Sequence, residues 1–137
     1  HDLPITQFGL DAADMDSCAI EVLQGNKRAT TSLLAAYSHD NEALPTVGQR
    51  SMVRDSRARD IAIIEVTRVE FRRYSAVDAV FAKIEGEGDK SLAHWQRVHW
   101  SYLDQECTRI GVPLNEEVEL VLEYFKVVQS CLPLAQF

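Results

Sequence analysis

The amino-acid sequence predicts a single α+β domain, built as a small closed or nearly closed β-barrel with helices against one side. Stretches of alternating apolar residues, typical of strands, are interleaved with stretches of helical periodicity. These stretches lack the regular strand–helix–strand alternation of a parallel α/β sheet. The length of 137 residues suits one domain with one core, which we expect to extend from about residue 8 to residue 128.

The N-terminal part of the chain predicts one helix followed by one strand. Asp11 or Asp14 can cap the start of the helix, and Gly25-Asn26 ends it. Its apolar face consists of Met15, Cys18, Ala19, Val22 and Leu23. Thr30 to Tyr37 is predicted to be a strand, because β-branched residues come first and apolar residues follow. A polar loop over 38–48 leads to the next strand.

The middle of the chain contains the clearest strand pattern. Gln49 to Arg54 predicts a short strand and Asp60 to Phe71 a long one, with a turn between them. One face of the long strand is apolar except for Glu65. Charged residues are rarely buried unless they are paired or functional. Glu65 is therefore either a functional carboxylate or a structural one, at a solvent-accessible rim or paired with an arginine.

The C-terminal part predicts two helices and a strand. The elements are a short helix capped by Ser75 that reaches Ile84, a long helix over 91–110 ended by Gly111 and Pro113, and a strand over 118–128. One face of the long helix carries Leu92, Trp95, His99, Leu103, Cys107 and Ile110. The tail, residues 129–137, is expected to pack loosely.

Charge is distributed unevenly along the chain. The net charge of −7 argues against tight nonspecific binding to duplex nucleic acid over the whole surface. The segment 50–73 nevertheless holds seven arginines, half of the 14 basic residues. This segment is either a local surface that attracts anions or a set of alternating charges on the solvent side of strands.

The cysteines predict a reducing compartment. Cys18, Cys107 and Cys131 are odd in number and lack CxxC or Cys/His metal-ligand spacing. We expect Cys18 and Cys107 to be reduced core residues in a cytoplasmic protein. No secretory signal is recognised, and no apolar run approaches the roughly 18 residues of a membrane helix, so no membrane partner is expected.

Lys27 and Thr30 are the first candidates for chemistry. A lysine that loses its proton can activate a hydroxyl for attack on an amide or ester. The two residues can cooperate if Lys27 lies on the turn after Gly25-Asn26 and Thr30 begins the strand. Lys27 would then need a pKa lowered by burial or by Arg28. The structural alternative is a solvated turn lysine followed by an ordinary strand threonine.

Two further groups could take part in chemistry or binding. Glu85, Glu87 and Asp89 alternate with glycines and could bind a hard cation or act as acid and base, but we assign Glu87 to solvent and Asp89 to the start of the long helix. Trp95 and His99 are four residues apart on that helix and could stack on and hydrogen-bond a flat base. The alternative is that His99 is a satisfied core histidine.

These segments together resemble the ASCH domain family, which is related to PUA domains, and in particular a longer bacterial branch once grouped as a domain of unknown function. The resemblance extends from Phe8-Gly9 to about Val128. It rests on G-x-K-x-A-T-x-S from Gly25 to Ser32, Pro45 with Gly48, Ile64-Glu65-Val66-Thr67, the glycine–acid run over 81–89, and Ser91-Leu92-x-x-Trp95 with His99. It implies a PUA-like β-barrel with helices beside a cleft, and recognition of RNA or nucleotides.

The resemblance also implies a catalytic set. Some small bacterial members of the family hydrolyse N4-acylated cytosine nucleosides through a lysine, a threonine and a glutamate. The matching residues are Lys27, Thr30 and Glu85, and Thr30 rather than Thr31 is the matching threonine. The chain departs from the branch after Trp95, where Gln96 stands in place of a frequent arginine.

Our first hypothesis is therefore an amidohydrolase acting on a modified pyrimidine, an N4-acylated cytosine or cytidine. Thr30 attacks the acyl carbon, Lys27 accepts the proton of Thr30, and Glu85 positions the lysine or protonates the leaving amine. The candidates for substrate binding are Arg28, Glu65, Trp95 and His99. No metal or other cofactor is expected.

The other hypotheses are binding functions. In a single-stranded RNA-binding module, with or without ribonuclease activity, Lys27 and Arg28 contact phosphate and Trp95 stacks on a base. In a nucleotide binder without turnover, the same site holds a ligand and releases no product.

Overall fold

The computed structural model describes residues 3–132 and confirms an α+β domain. Its elements, in chain order, are β1 (Ile5–Thr6), α1 (Ala12–Leu23), β2 (Ala29–Leu33), α2 (Leu34–His39), β3 (Arg50–Arg54), β4 (Asp60–Arg73), α3 (Ala79–Glu85), α4 (Leu92–Ile110) and β5 (Glu119–Ser130). A 3₁₀ turn, Tyr74–Ala76, joins β4 to the segment that enters α3.

The described strands form one sheet in the order β1-β3-β4-β5-β2. All neighbouring pairs are antiparallel except β1 and β3, which run parallel. The long strand β4 lies at the centre, pairing with β3 along its first half and with β5 along nearly its whole length. The two edge strands, β1 and β2, do not pair with each other, so the sheet is open rather than a closed barrel.

The predicted strand over Thr30–Tyr37 is wrong in its second half. The chain is extended only over Ala29–Leu33, and α2 follows directly. Leucine and alanine favour a helix, and a short apolar run does not by itself distinguish a buried strand from a buried helix. Packing of Ala36 into the core decides in favour of the helix.

The helix caps agree with the sequence in part. Asp11 rather than Asp14 caps α1, because its Oδ1 accepts a hydrogen bond from the backbone N–H of Asp14 at 2.8 Å. Ser75, the predicted cap of α3, lies in the 3₁₀ turn, and Asp78 caps the helix by accepting from Phe81 N at 2.9 Å. An aspartate fits there because its side-chain oxygen satisfies a free N–H of the first turn.

Two apolar clusters pack on opposite sides of the sheet. One joins α2, α3 and α4 to one face of β2 and β5, and includes Cys107 and Trp95. The other joins α1 to β3, β4 and the opposite face of β5, and includes Cys18 and Phe8. Both predicted core cysteines are therefore confirmed as buried, and all three cysteines are free thiols.

The ends of the chain fall partly outside the description. The predicted loose tail begins inside β5, which continues to Ser130, while residues 1–2 and 133–137 lie outside the described residues. Within residues 3–132, no helix has the length and apolar character required to cross a bilayer.

Candidate active site

The glycine–acid run and the Gly25-Asn26 turn meet at one place in the fold. After α1, the N–H groups of Asn26 and Lys27 both donate to Glu21 O, at 2.9 and 3.1 Å, and reverse the chain. Gly86 ends α3 in the left-handed conformation, with φ of 74°. A side chain at Gly86 would stand 2.2 Å from Asn26 O, so glycine is required for this approach. The contact brings the carboxylates that flank Gly86 next to Lys27.

Lys27 is fully buried and bonded to oxygens on three sides. Its Nζ donates to Glu87 Oε2 at 2.7 Å, to Ala29 O at 2.9 Å and to Glu85 O at 3.4 Å. It also lies 5.0 Å from the centre of the Phe8 ring. The structure therefore differs from the solvated turn lysine that we weighed as an alternative.

The pKa of Lys27 is shifted in the direction opposite to our expectation. Burial lowers the pKa of the amine, but the negative charges of Glu85 and Glu87 outweigh burial, so the pKa of Lys27 is raised. Lys27 is an ammonium in the resting protein. A lysine ammonium can accept a proton only after a neighbouring group has taken the one that it already holds.

Glu85 holds a second set of contacts in the cluster that Lys27, Thr31, Glu85, Glu87 and His99 form. Its fully buried carboxylate accepts from Thr31 Oγ1 at 2.5 Å through Oε2, and its Oε1 lies 2.5 Å from His99 Nε2 in an ion pair. His99 Nδ1 lies 2.9 Å from Trp95 O, so both ring nitrogens face acceptors, as an imidazolium requires. The arrangement ties β2, α3 and α4 together at one carboxylate.

The charges of this cluster shift the pKa values of Glu85 and His99 in the directions that favour their ionised forms. Burial alone would raise the pKa of Glu85, but Lys27 and His99 together lower it. Burial alone would lower the pKa of His99, but Glu85 raises it. The buried charges are therefore balanced, two positive groups against the carboxylates of Glu85 and Glu87.

A cavity of about 170 Å³ opens beside this cluster, and we call it the threonine cavity. Its lining includes Gln7, Phe8, Thr30, Thr31, Glu87 and His99. Lys27 and Glu85 do not line it; they lie behind Glu87 and Thr31. A ligand in the cavity would therefore meet the threonines, Glu87 and the histidine directly, and Lys27 through its partners.

The structure brings the predicted catalytic residues to one region. Lys27 and Glu85 belong to the same cluster, and Thr30 lines the cavity next to it. Successive strand residues face opposite sides of a sheet, and it is Thr31, not Thr30, that bonds to Glu85. Among the described residues, no hydrogen bond joins Thr30 to Lys27. The roles assigned to Lys27, Thr30 and Glu85 stay predictions.

The predicted substrate-binding residues are placed less uniformly. His99 lines the threonine cavity, and the buried Trp95 stacks beneath it with ring centres 4.4 Å apart. Glu65 lies outside the cavity, where Arg50 Nε is 2.9 Å from its carboxylate, as in the structural alternative. Arg28 is exposed and donates to Gly25 O at 2.8 Å. Substrate contacts by Glu65, Arg28 and Trp95 stay predictions that this cavity does not support.

Sequence reasoning missed two members of the cluster. Glu87, which we assigned to solvent, is the ion-pair partner of Lys27, and its side chain is only 24% exposed. The left-handed turn at Gly86 folds it back toward the lysine. Thr31 alternates with the core residues Ala29 and Leu33, so the strand pattern indicated a buried hydroxyl that needs a partner.

Glu85, Glu87 and His99 also offer the donor set of a metal site. One possible ligand atom from each of them lies within 4.8 Å of the other two. Lys27 Nζ already stands 2.7 Å from Glu87 Oε2, so a divalent cation in the same place would meet a buried ammonium. The cluster therefore fits an internal cation better than an added one.

The sequence and the fold of the chain are both similar to those of known proteins. A family model of the ASCH domain matches residues 4–129. The chain is similar to the ASCH domain from Lactobacillus crispatus JV V101, with 41% identity and a TM-score of 0.90 over 93% of this chain and 80% of that one. It is also similar to protein EF3133 from Enterococcus faecalis V583, of family DUF984, with 28% identity and a TM-score of 0.84 over 93% and 77% of the two chains. No curated protein matches.

Proposed function

Because the chain belongs to the ASCH domain family, we propose that it hydrolyses the amide bond of an N4-acylated cytosine or cytidine. The observation that carries this proposal is the ion pair between the buried ammonium of Lys27 and the carboxylate of Glu87, beside a cavity lined by Thr30. A carboxyl group and a hydroxyl that line one cavity, with an amine bonded to the carboxyl group from behind, are the components that nucleophilic amide hydrolysis needs.

In the first step of the proposed reaction, Thr30 is acylated. Its hydroxyl oxygen bonds to the acyl carbon, the bond from that carbon to N4 breaks, and an ester remains on Thr30. The hydroxyl proton passes to Lys27, which must be neutral at that moment. We assign Glu87 as the acceptor of the lysine proton, because its Oε2 is 2.7 Å from Nζ. When a substrate displaces water, burial brings the neutral pair closer in energy to the ion pair.

Glu87 also suits the second half of the proton transfer. It lines the cavity, whereas the carboxylate of Glu85 is fully buried behind Thr31. Protonated Glu87 can therefore give its proton to the leaving N4 amine, and cytosine or cytidine departs. Water then attacks the ester and returns a proton to the oxygen of Thr30, which releases the carboxylic acid.

Glu85 acts in this proposal as a positioning residue. Its backbone oxygen accepts from Lys27 at 3.4 Å, and its carboxylate holds Thr31 and His99. Thr31 follows Thr30 in β2, so this bond fixes the strand that carries the nucleophile. His99 faces the cavity and is the candidate for a direct substrate contact.

Incubation of the purified protein with N4-acetylcytidine tests the proposal, with cytidine release followed by chromatography. We expect the wild-type protein to release cytidine and Thr30→Val to lose at least about a thousandfold in kcat. Thr67→Val is the matched control, because Thr67 is an exposed threonine on β4. Hydrolysis by Thr30→Val at the wild-type rate would contradict the assigned nucleophile. Heat protection by the nucleoside without product would instead favour binding without turnover.

Single-stranded RNA binding has less support from the charges. Most arginines of the segment 50–73 are ion-paired: Arg50 with Glu65, Arg54 with Asp60, Arg59 with Asp55, Arg68 and Arg72 with Glu70, and Arg73 with Glu117. Paired arginines attract phosphate less than free ones do. Binding to single-stranded RNA that weakens steeply with salt would restore this alternative.

A further inference from the structure

A second polar cavity is lined by Glu123, the residue that pairs with Thr30 across the sheet. It has a volume of about 190 Å³ and is lined in part by Glu123, Gln49, Ser51, Tyr37 and Thr6, and we call it the Glu123 cavity. Thr6 lines this cavity, and the next residue, Gln7, lines the threonine cavity. The same N-terminal segment therefore borders both spaces.

The sheet places Glu123 directly beside the proposed nucleophile. Glu123 on β5 is the register partner of Thr30 on β2 in an antiparallel pair. Partners in such a pair point to the same face, with Cβ atoms about 4.5–5.5 Å apart. A substrate whose acyl carbon lies at Thr30 therefore has its neighbouring atoms within reach of the carboxyl group of Glu123.

Glu123 is a half-buried carboxyl group that no other described residue satisfies. It accepts no hydrogen bond and forms no ion pair within residues 3–132. Burial raises the pKa of Glu123, so its carboxyl group keeps its proton to a higher pH than an exposed glutamate does. The other titratable groups that line the cavity are Glu42 and Tyr37, whose hydroxyl lies 2.8 Å from Ser32 Oγ. Neither supplies a positive charge that would hold Glu123 ionised.

A protonated carboxyl group matches the edge of cytosine next to the acyl amide. N3 of the ring accepts a hydrogen bond, and the N4–H of the acylated amine donates one. A carboxylic acid offers one donor and one acceptor side by side. The cavity also has apolar walls from Pro4, Pro45 and Val66 for a flat ring, and a space of roughly 150 Å³ can hold a benzene ring.

From this placement we infer that the Glu123 cavity is the pyrimidine subsite, in which the Glu123 acid donates to N3 and accepts from N4–H. The inference rests on the proposed function for the position of the acyl group at Thr30. It adds a residue that selects the base, a role for which the sequence indicated Glu65, Trp95 and His99.

Titration calorimetry with the product nucleoside tests this subsite without any turnover. The ligands are cytidine and 3-deazacytidine, in which a C–H group replaces N3. We expect wild-type protein to bind cytidine at least tenfold more tightly than the deaza analogue. Glu123→Gln, which keeps a donor beside an acceptor, should retain this preference, and Glu123→Ala should remove it. Glu119→Gln, an exposed glutamate of the same strand, is the control that should match wild type.

The outcomes separate this inference from the proposed hydrolysis. A cytidine preference that survives in Glu123→Ala, or wild-type protein that binds neither nucleoside, would overturn the subsite. Hydrolysis of N4-acetylcytidine with an unchanged KM in Glu123→Ala would overturn the subsite and leave the hydrolase proposal intact. A Glu123-dependent preference for N3 without hydrolysis would support the subsite and count against the catalytic proposal.

Discussion

Replacing Lys27 with methionine should remove the positive charge on which the buried cluster depends. Methionine is similar in length, so the change leaves little empty volume, but Nζ and its three hydrogen bonds are lost. Removing one partner of a buried ion pair leaves an uncompensated charge and costs about 3–5 kcal/mol. We therefore expect the free energy of unfolding of Lys27→Met to fall by about that amount in urea titrations at pH 7, out of a typical total of about 5–15 kcal/mol.

The loss of stability in Lys27→Met should depend on pH. The pKa of Glu85 is lowered from 4.5 in the folded wild-type protein, so its charge stabilises the fold above pH 4.5 and this stabilisation is lost as the pH falls further. Without Lys27 the carboxylates gain stability by taking up protons instead. The gap in stability between wild type and Lys27→Met should therefore narrow when the titration is repeated near pH 4.

Two further variants test whether Lys27 stabilises the protein by balancing the buried charges. Lys83→Met removes an exposed lysine from α3 and should change stability by no more than about 0.5 kcal/mol. Adding Glu87→Gln to Lys27→Met should recover part of the loss, because it removes a carboxylate left without its partner. A cost of less than about 1 kcal/mol for Lys27→Met, or no recovery in the double variant, would refute the charge-balance argument.

Two other predictions concern the supports of the cluster. Gly86→Ala should lower the free energy of unfolding more than Gly111→Ala in urea titrations, by at least about 1 kcal/mol. Both glycines end helices at positive φ, but only at Gly86 would an added Cβ collide with Asn26 O. Equal losses of stability in the two variants would contradict this contact. His99→Gln should lower the free energy of unfolding most below pH 6.5 and progressively less above it. Glu85 raises the pKa of His99, so the stabilisation by the imidazolium is lost as the pH rises through that raised value. A cost that is the same at pH 6 and pH 9 would exclude the ion pair.

The long elements could be predicted from the sequence because their periods are strong. The strand β4 and the helix α4 lie within two residues of their expected limits, and Ser91 caps α4 where the long helix was expected to begin. Alternating or helical apolar patterns of this length leave few alternatives. The helix α2 could not be predicted, because its apolar run fits a strand equally well and tertiary packing decides.

The candidate site was predictable in its residue types but not in its electrostatics. Lys27 was singled out by its spacing to Thr30 and Glu85 by the glycine–acid run, and the family resemblance joined them into one set. The raised pKa of Lys27 could not be predicted, because it depends on carboxylates that reach the lysine only through the turn at Gly86. That approach joins segments about sixty residues apart. Glu123 was not singled out because its significance lies in its register with Thr30, which pairing between distant strands determines.

Identifying the residue that becomes acylated tests the proposed reaction of Thr30 most directly. The protein is mixed with N4-acetylcytidine, quenched in acid within one turnover and mapped by peptide mass spectrometry. We expect an acetyl ester on Thr30, formed together with one equivalent of cytidine and missing in Thr30→Val. An acetyl group on Thr31 or Lys27 instead, or cytidine released with Thr30→Val at the wild-type rate, would contradict the proposed reaction.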